Sequence, residues 1–447
     1  MSVLKVTESV CPVCLTKIPA TIVSHNRSIS LQKTCPIHGT FDSPYWDDLE
    51  HYLWCNQFSK PGTPRGRQTV IETGCPSDCG LCPSHQQHTC LAILDVTDRC
   101  NLSCHYCFAS STTTGADRTL EDIHAMYQTV RQSEREPTPI QLSGGEPTLR
   151  RDLPQIIEMG DTYGFSHIEV NTNGLLIAQH KHLIKDLKTA GMSCLYLQFD
   201  GVTPDVYTAI RGMDLLDLKM KTIRHCREHQ VPVVLVPTIV NGVNDHQLGE
   251  IIHFALANND VIRGISIQPV SQMGRYQPGS HISLAGVVKR IAQQTTFLTM
   301  YDFYPIPCPS PHCSNISLLI NDGDNIVPIT RLIDADTYLN DVYTALKAST
   351  LVDMLIDGAN SEIAEDIVCS CGLTIPGAVK KILDHTLFIT MMGFMDAYTM
   401  DLQRLAKCCI HVATSERQLI PFCAYNLTNT QGSYLYRQTR DATARKQ

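Results

Sequence analysis

The fold is decided by the stretch Leu91-Ala-Ile-Leu-Asp-Val-Thr-Asp-Arg-Cys-Asn-Leu-Ser-Cys-His-Tyr-Cys-Phe108, a strand-like apolar run followed directly by three cysteines. Cys100, Cys104 and Cys107 have C-x3-C-x2-C spacing. Three such thiolates can hold three irons of a 4Fe–4S cluster and leave the fourth iron without a protein ligand. The spacing also permits three of the four ligands of a structural zinc. Because active sites of barrels lie at the carboxyl ends of strands, the position favours the cluster.

Outward from this loop, strand-like and helix-like segments alternate. Six such units predict a parallel sheet covered by helices, in an α/β fold with a partial (β/α)6 barrel. They are too few for closure with eight strands. The predicted strands are 91–96, 139–142, 167–170, 195–199, 231–238 and 264–269, and the helical patterns are 120–131, 153–163, 180–187, 216–229 and 246–256.

Three domains are expected from the cysteine spacing and from this rhythm. Residues 1–68 form a cysteine-rich domain that ends in a linker rich in proline and glycine. Residues 69–275 form the barrel domain, which includes the cysteine segment 74–90. Residues 276–447 lose the alternation and predict a helix-rich C-terminal domain.

Composition restricts the class of protein. The chain has 447 residues, a net charge of −8 and 20 cysteines, and the acidic balance argues against a nucleic-acid binder. The N-terminus lacks the apolar core of a signal peptide, and no apolar run reaches the roughly 18 residues of a membrane span. We therefore expect a cytoplasmic protein without a transmembrane segment, whose grouped cysteines bind metal rather than form disulfides.

Polar residues at the ends of later strands are candidates for ligand binding. In Ser143-Gly-Gly-Glu-Pro-Thr148, Gly144 and Gly145 allow close backbone approach, and Glu146 supplies an anion for an ammonium group. Four further candidates follow the later strands; turn chemistry is the structural alternative for the two asparagines and a surface position for the arginine, whereas the aspartate ends the fourth strand and is expected to face the same site. They are Asn171, Asn173, Asp200 and Arg211.

The cysteine triplet with Tyr106, together with residues 144–147, resembles the radical S-adenosylmethionine (radical SAM) superfamily. The resemblance implies a 4Fe–4S cluster whose free iron binds the amine and carboxylate of S-adenosylmethionine. Reductive cleavage then gives a 5′-deoxyadenosyl radical that abstracts hydrogen from a substrate. It also implies a reducing electron donor such as ferredoxin or flavodoxin. By the same resemblance, Tyr106, Gln268 and Pro269 lie near the cofactor.

Two further cysteine groups precede the barrel. The C-x3-C-x2-C-x7-C run suits a closed 4Fe–4S cluster or a zinc, and we favour an auxiliary cluster. Its members are Cys75, Cys79, Cys82 and Cys90. The two N-terminal knuckles predict a mononuclear site for zinc or rubredoxin-like iron, in which Cys55 could replace the histidine. They are formed by Cys11, Cys14, Cys35 and His38.

The C-terminal third carries seven cysteines that could hold one more cluster or remain unligated. The set that we favour is Cys308, Cys313, Cys408 and Cys423, with Cys369, Cys371 and Cys409 as alternatives. The isolated Cys194 and Cys226 are expected to be inert core residues.

The cysteine blocks taken together resemble a narrower group of radical SAM proteins, those related to archaeal tetraether lipid synthase. This implies hydrogen abstraction from an unactivated C–H bond to couple lipid alkyl chains, with peripheral membrane contact. Methylation of a pterin or modification of a peptide is the alternative, and a non-catalytic metalloprotein is a third. The methionine-rich stretch 387–400 is expected either to form a core helix or to line a channel for alkyl chains.

Overall fold

The computed structural model describes residues 2–134, 136–306, 309–321, 325–331 and 386–437, and the backbone of two short strands at 367–368 and 374–375. Its N-terminal part is an antiparallel sheet of four strands in sequence order, followed by one helix. The Asp48 side chain caps this helix by accepting a hydrogen bond from the His51 amide. The elements are β1 (Ser2–Val10), β2 (Lys17–His25), β3 (Ser28–Cys35), β4 (Gly39–Trp46) and α1 (Leu49–Asn56).

The centre of the molecule is a run of six neighbouring parallel strands, as the sequence predicts. The strands are mostly buried along their length, as expected for a parallel sheet that is covered on both faces. They are β5 (Leu91–Thr97), β6 (Ile140–Gly144), β7 (Ile168–Thr172), β8 (Cys194–Gln198), β9 (Val233–Val236) and β11 (Ile262–Pro269), and the short β10 (Thr238–Ile239) pairs with β11. The partial barrel is therefore confirmed.

Helices connect the barrel strands. The longest, α2, begins with a capping box between Thr119 and Asp122 and buries Ile123, Tyr127 and Val130 on one face. The set comprises α2 (Leu120–Ser133), α3 (Leu153–Thr162), α4 (Leu175–Gln179), α5 (His182–Thr189), α6 (Pro204–Arg211), α7 (Leu216–Glu228), α8 (Leu248–Ala257) and α9 (Leu284–Gln294). Within the described residues, no helix is long and apolar enough to span a membrane.

The C-terminal segment extends the barrel sheet on both sides, because β17 pairs with β11 and β18 pairs with β5, both in parallel. The boundary at residue 275 thus lies within one continuous sheet and stays a prediction as a domain division. The elements are β12 (Tyr304–Pro305), β13 (Ser314–Asn321), β14 (Ile326–Pro328), β15 (Ile367–Val368), β16 (Thr374–Ile375), β17 (Thr386–Met392), α10 (Leu402–Leu405), β18 (Ile410–Ala413), β19 (Leu419–Pro421) and α11 (Phe422–Tyr425).

The methionine-rich stretch begins as strand β17, so its interpretation as a core helix is wrong. Leu387, Ile389 and Met391 are fully buried and alternate with partly buried residues, which is the period of two of a strand. The strand is held between β11 on one side and β13 on the other. Pairing on both edges makes this segment a strand, and such pairing cannot be inferred from the residue composition of the segment.

Candidate active site and metal centres

The carboxyl ends of the barrel strands border a cavity of about 200 Å³, which we call the mouth cavity. All three cysteines of the triplet line it, together with most of the predicted ligand-binding residues. Those predicted residues are Tyr106, Gly144, Gly145, Glu146, Asn171, Asn173, Arg211 and Gln268. Asp200 and Pro269 are not among its lining residues, so the structure brings together all but two of the predicted set.

The two glycines are required by close packing of backbone on backbone. Gly144 has a φ of +120°, and a Cβ there would lie 2.2 Å from the Thr97 carbonyl oxygen. A Cβ on Gly145 would lie 2.1 Å from the Arg99 carbonyl oxygen. The Gly145 amide donates to Thr97 O at 2.7 Å, and the Glu146 amide donates to Arg99 O at 2.8 Å. The end of β6 is therefore fastened to the start of the cysteine loop.

Glu146 is almost completely buried and accepts four hydrogen bonds from the protein. Its Oε1 accepts from the Thr148 amide (3.1 Å), the Thr148 hydroxyl (2.5 Å) and the Thr172 hydroxyl (2.6 Å). Its Oε2 accepts from the Asn173 amide at 2.7 Å. The carboxylate thus joins the ends of β6 and β7, and Oε2 retains capacity for one more donor. The contact with a cofactor amine stays a prediction.

Asn173 links the third strand to the cysteine loop. Its Nδ2 donates to Asn101 Oδ1 at 2.7 Å, and its Oδ1 accepts from the Leu175 amide at 3.0 Å. The turn chemistry and the positioning of the loop are therefore both present. Asn171 donates to Ser143 Oγ at 3.2 Å and faces the mouth cavity.

Asp200 and Arg211 pair with each other, and Arg211 also lines the mouth cavity, so its contact with a ligand stays a prediction. Both are buried, and the guanidinium approaches the carboxylate at 2.7 Å (Nε to Oδ2) and 2.6 Å (Nη2 to Oδ1). Arg211 Nη1 also donates to the Tyr106 carbonyl oxygen at 3.1 Å. Burial raises the pKa of the Cys104 thiol, and the neighbouring Arg211 opposes that rise. Arg211 is therefore not a surface residue, and its hydrogen bond to Tyr106 fixes the cysteine loop.

Two buried cations near the site have no motif in the sequence. Lys219 Nζ donates to the Asn173 carbonyl oxygen at 2.6 Å, and burial lowers the pKa of Lys219 to about 8. Arg437 lines the mouth cavity, pairs with Asp95 at 2.6 Å and lies 4.9 Å from the Tyr425 ring. Lys219 sits in an ordinary amphipathic helix and Arg437 far along the chain, so no signal in the sequence points to either.

Three phenylalanine rings form an aromatic group at the same cavity. The ring centroids of Phe108 and Phe394 are 5.6 Å apart, those of Phe108 and Phe422 are 5.7 Å apart, and those of Phe394 and Phe422 are 4.4 Å apart. All three line the mouth cavity. The sequence does not reveal this group, because Phe108 lies almost three hundred positions before Phe394 and Phe422 and no motif joins the three.

A second cavity of about 110 Å³, here the side cavity, adjoins the first and shares Tyr196, Phe394 and Phe422 with it. Five cysteines line it: Cys90, Cys313, Cys408, Cys409 and Cys423. Three of the four favoured C-terminal ligands are thus brought together. The fourth, Cys308, lies outside the described residues, as do Cys369 and Cys371.

The cysteine run before the barrel is divided in the structure. Cys75, Cys79 and Cys82 line a small cavity of about 20 Å³, but Cys90 lines the side cavity instead. The Cys90 amide donates to the Cys409 carbonyl oxygen at 2.8 Å, which fixes it at the start of β5 beside β18. The prediction of Cys90 as the fourth ligand of this run is not supported by its position.

The N-terminal knuckles converge. The ligand atoms of Cys11, Cys14, Cys35 and His38 all lie within 4.8 Å of one another, as a mononuclear metal site requires. Backbone hydrogen bonds, chiefly from Ile37, lower the pKa of the Cys35 thiol to about 6. Cys55 is buried in α1 with its sulfur 3.7 Å from His51 Nδ1 and is not part of this group. The histidine, rather than Cys55, completes the set.

Comparison with known proteins gives matches to two families. The radical SAM superfamily matches residues 94–255, and the family described as the HMPTM N-terminal zinc ribbon domain matches residues 3–47. A 7,8-dihydro-6-hydroxymethylpterin dimethyltransferase from Methanocaldococcus jannaschii is 39% identical over 478 residues, covering 96% of this chain and 94% of that protein.

More distant similarities are confined to part of the chain. A GTP 3′,8-cyclase from Syntrophomonas wolfei is 30% identical over 196 residues, 42% of this chain and 58% of that protein. The crystal structure of Streptococcus suis SuiB bound to S-adenosylmethionine aligns with a TM-score of 0.39 at 18% identity, covering 45% of this chain and 46% of that chain.

Proposed function

We propose that this chain methylates a pterin, because it belongs to the radical SAM superfamily and to the family of the pterin dimethyltransferase from M. jannaschii. The cofactors of a radical SAM enzyme are a 4Fe–4S cluster and S-adenosylmethionine, and the zinc ribbon match fits a metal at the N-terminal knuckles. The observation that supports a pterin as the substrate is that both aromatic rings and polar side chains line the mouth cavity.

The residues at the mouth cavity fit a cluster with one open position. Among the described residues, Cys100, Cys104 and Cys107 are the only cysteines that line this cavity. When bound, the cluster and S-adenosylmethionine supply the one-electron chemistry that activates a C–H bond. The chain holds the cysteine loop from two sides, through Arg211 on the Tyr106 carbonyl oxygen and through Asn173 on Asn101.

The substrate class follows from what a ligand in these cavities would contact. Phe394 and Phe422 line both cavities and offer ring faces to a flat heterocycle, whereas Gln141 and Gln198 offer hydrogen bonds. Gln141 Nε2 donates to Glu169 and Gln198 Oε1 accepts from Lys219, and an alkyl chain in the same place could not pair the other polar atom of either amide, at a cost in free energy.

Coupling of lipid chains, the function implied by the narrower resemblance, has less support. Met391 and Met395 are 0% and 2% exposed and pack into apolar cores, and neither lines the mouth or the side cavity. Of the methionines expected to line an alkyl channel, Met392 borders both cavities. The relative of similar length is named for a pterin and not for a lipid.

We assign the remaining cysteine groups to electron transfer and to structure. Cys313, Cys408 and Cys423 would hold an auxiliary cluster at the end of the side cavity that these cysteines line, which leaves the part lined by Glu169 and Tyr196 to the substrate. The group at Cys75, Cys79 and Cys82 would hold another cluster. A low-potential donor of the ferredoxin or flavodoxin class would deliver electrons.

The test is anaerobic reconstitution with iron, sulfide and zinc, followed by incubation with reductant, S-adenosylmethionine and 7,8-dihydro-6-hydroxymethylpterin. The methyl carbon is supplied either by further S-adenosylmethionine or by an added one-carbon donor of the folate type, and parallel reactions with and without that donor distinguish the two. We expect the pterin to stimulate 5′-deoxyadenosine formation, and mass spectrometry to detect a methylated pterin. Stimulation by a dialkyl lipid and not by the pterin would contradict the proposal. Phe394→Leu should weaken pterin binding by a factor of about 2 to 12, the loss expected for one stacking ring, and Phe297→Leu, outside both cavities, is the matched control.

A further inference from the structure

Glu169 is a buried carboxylate inside the barrel that takes no part in holding the cysteine triplet. It lies on β7 with 0% of its surface exposed, and it lines the side cavity. Asn171, two residues further along the strand, points to the same side and lines the mouth cavity. Glu169 therefore sits about 6.6 Å deeper in the barrel than the residues around the cysteine triplet.

The charge of Glu169 has weak compensation from the protein. Gln141 Nε2 donates to Oε1 at 2.5 Å, and the Cys194 thiol donates to Oε2 at 3.7 Å. The nearest basic group is His167, whose Nε2 lies 3.8 Å from Oε2 and has no hydrogen-bond partner among the described residues. Among the residues that the structure describes, no lysine or arginine forms an ion pair with Glu169. A buried carboxylate that pairs with no lysine or arginine is costly, so a ligand that brings N–H donors would be favoured here.

The neighbouring inward positions are also polar. The Tyr196 hydroxyl on β8 donates to Ser266 Oγ on β11 at 2.5 Å, and Gln268 Nε2 donates to the Tyr196 hydroxyl at 3.4 Å. Barrel interiors are usually filled with branched apolar side chains. Polar groups on β6, β7, β8 and β11, all directed into the barrel, indicate a binding site rather than a packed core.

We propose that Glu169 binds the pyrimidine edge of the pterin, accepting hydrogen bonds from its 2-amino group and its N3–H. This rests on the proposed function and deepens it. Two adjacent N–H donors match the two oxygens of one carboxylate, the geometry that makes paired charge-assisted hydrogen bonds strong. Gln141 is a positioning residue that holds the carboxylate in place.

This placement sets the orientation of the substrate. With its pyrimidine ring on Glu169, the pterin directs its other ring, which carries the 6-hydroxymethyl group, toward Asn171 and the cysteine loop. Phe394 and Phe422 line both cavities and can cover the ring faces along this path. The C–H bonds to be activated then lie toward the triplet.

The experiment measures equilibrium binding to the anaerobic holoenzyme with two probes, the dihydropterin and its 2-oxo counterpart, which lacks the amino group. We expect wild type to prefer the pterin at least ten-fold. Glu169→Gln should lower pterin affinity by about ten- to hundred-fold and remove most of the preference. The matched control is Glu158→Gln, the same change at an exposed position of α3.

The outcomes separate this inference from the function on which it rests. If wild type binds no pterin, the proposed function fails. If wild type binds the pterin without preference over the 2-oxo probe, or Glu169→Gln binds it normally, the role of Glu169 alone is overturned. The possible ligand atoms of His167, Glu169 and Cys194 all lie within 4.8 Å of one another, so the alternative role of Glu169 is to bind a metal ion. Loss of zinc from Glu169→Gln without loss of pterin binding would show that role and overturn the inference. The wild-type comparison needs no variant to fold.

Discussion

The Arg211 guanidinium is bound at two points to the carboxylate of Asp200, with both side chains buried beneath the cysteine loop. The same guanidinium donates to the Tyr106 carbonyl oxygen, in the loop that carries Cys104 and Cys107. The pair therefore connects the end of the fourth barrel strand to the site of the radical chemistry.

Asp200→Asn should strongly destabilise the protein, because it leaves the Arg211 charge buried without a counter-ion. The expected loss is about 3–5 kcal/mol in the free energy of unfolding, measured by urea denaturation. The control is Asp260→Asn, which breaks an ion pair with Arg227 at side chains that are 56% and 40% exposed and should cost no more than about 1 kcal/mol. Equal losses in the two variants would refute a structural role for the buried pair.

Lys219 should make stability depend on pH in the alkaline range. Burial lowers its pKa in the folded protein to about 8, from 10.5 in a free side chain. Between these values the unfolded chain binds more protons, so the contribution of Lys219 to stability rises with pH, by up to about 1.4 kcal/mol per unit. Below pH 8 the cost of burying the charge is fully present.

The measurement compares wild type with Lys219→Met in urea at pH 8 and at pH 10. Wild type should gain stability relative to the variant as the pH rises, and titration of the other groups cancels in the difference. Lys221→Met, at an exposed position of the same helix, should follow wild type. A difference between wild type and Lys219→Met that does not change with pH would show that the ammonium is not penalised by burial.

The N-terminal knuckles should hold one metal ion independently of the barrel. His38→Ala removes one of the four converging ligands, and the expected result is loss of about one zinc per chain with the iron content unchanged. His25→Ala, at an exposed position at the end of β2, should retain the zinc. Full zinc in His38→Ala, measured by elemental analysis, would remove the histidine from the site.

Features encoded over short distances could be predicted from the sequence. The six barrel strands, the triplet at Cys100, Cys104 and Cys107, and the Gly144–Gly145 pair each follow from local spacing and periodicity. The N-terminal ligands were also predictable, because the short spacing within each knuckle brings its two ligands together in a single turn.

Features that depend on tertiary contacts could not be predicted. The ion pair of Asp200 and Arg211 satisfies two charges within the protein, although each residue alone resembles a ligand contact. Cys90 lies apart from Cys75, Cys79 and Cys82 because it immediately precedes β5, which pairs with β18. The role of Glu169 depends on inward positions of several strands, and strand alternation alone gives no reason to single it out.

The radical chemistry is located at the cysteine triplet, and one measurement tests this location directly. Holoenzyme variants are reduced anaerobically with S-adenosylmethionine, and 5′-deoxyadenosine is quantified by liquid chromatography. Wild type and Cys226→Ala, which alters a buried core cysteine, should both form it. Cys104→Ala should form none while retaining the iron of the other clusters. If Cys104→Ala still cleaves S-adenosylmethionine, the assignment of the triplet is wrong.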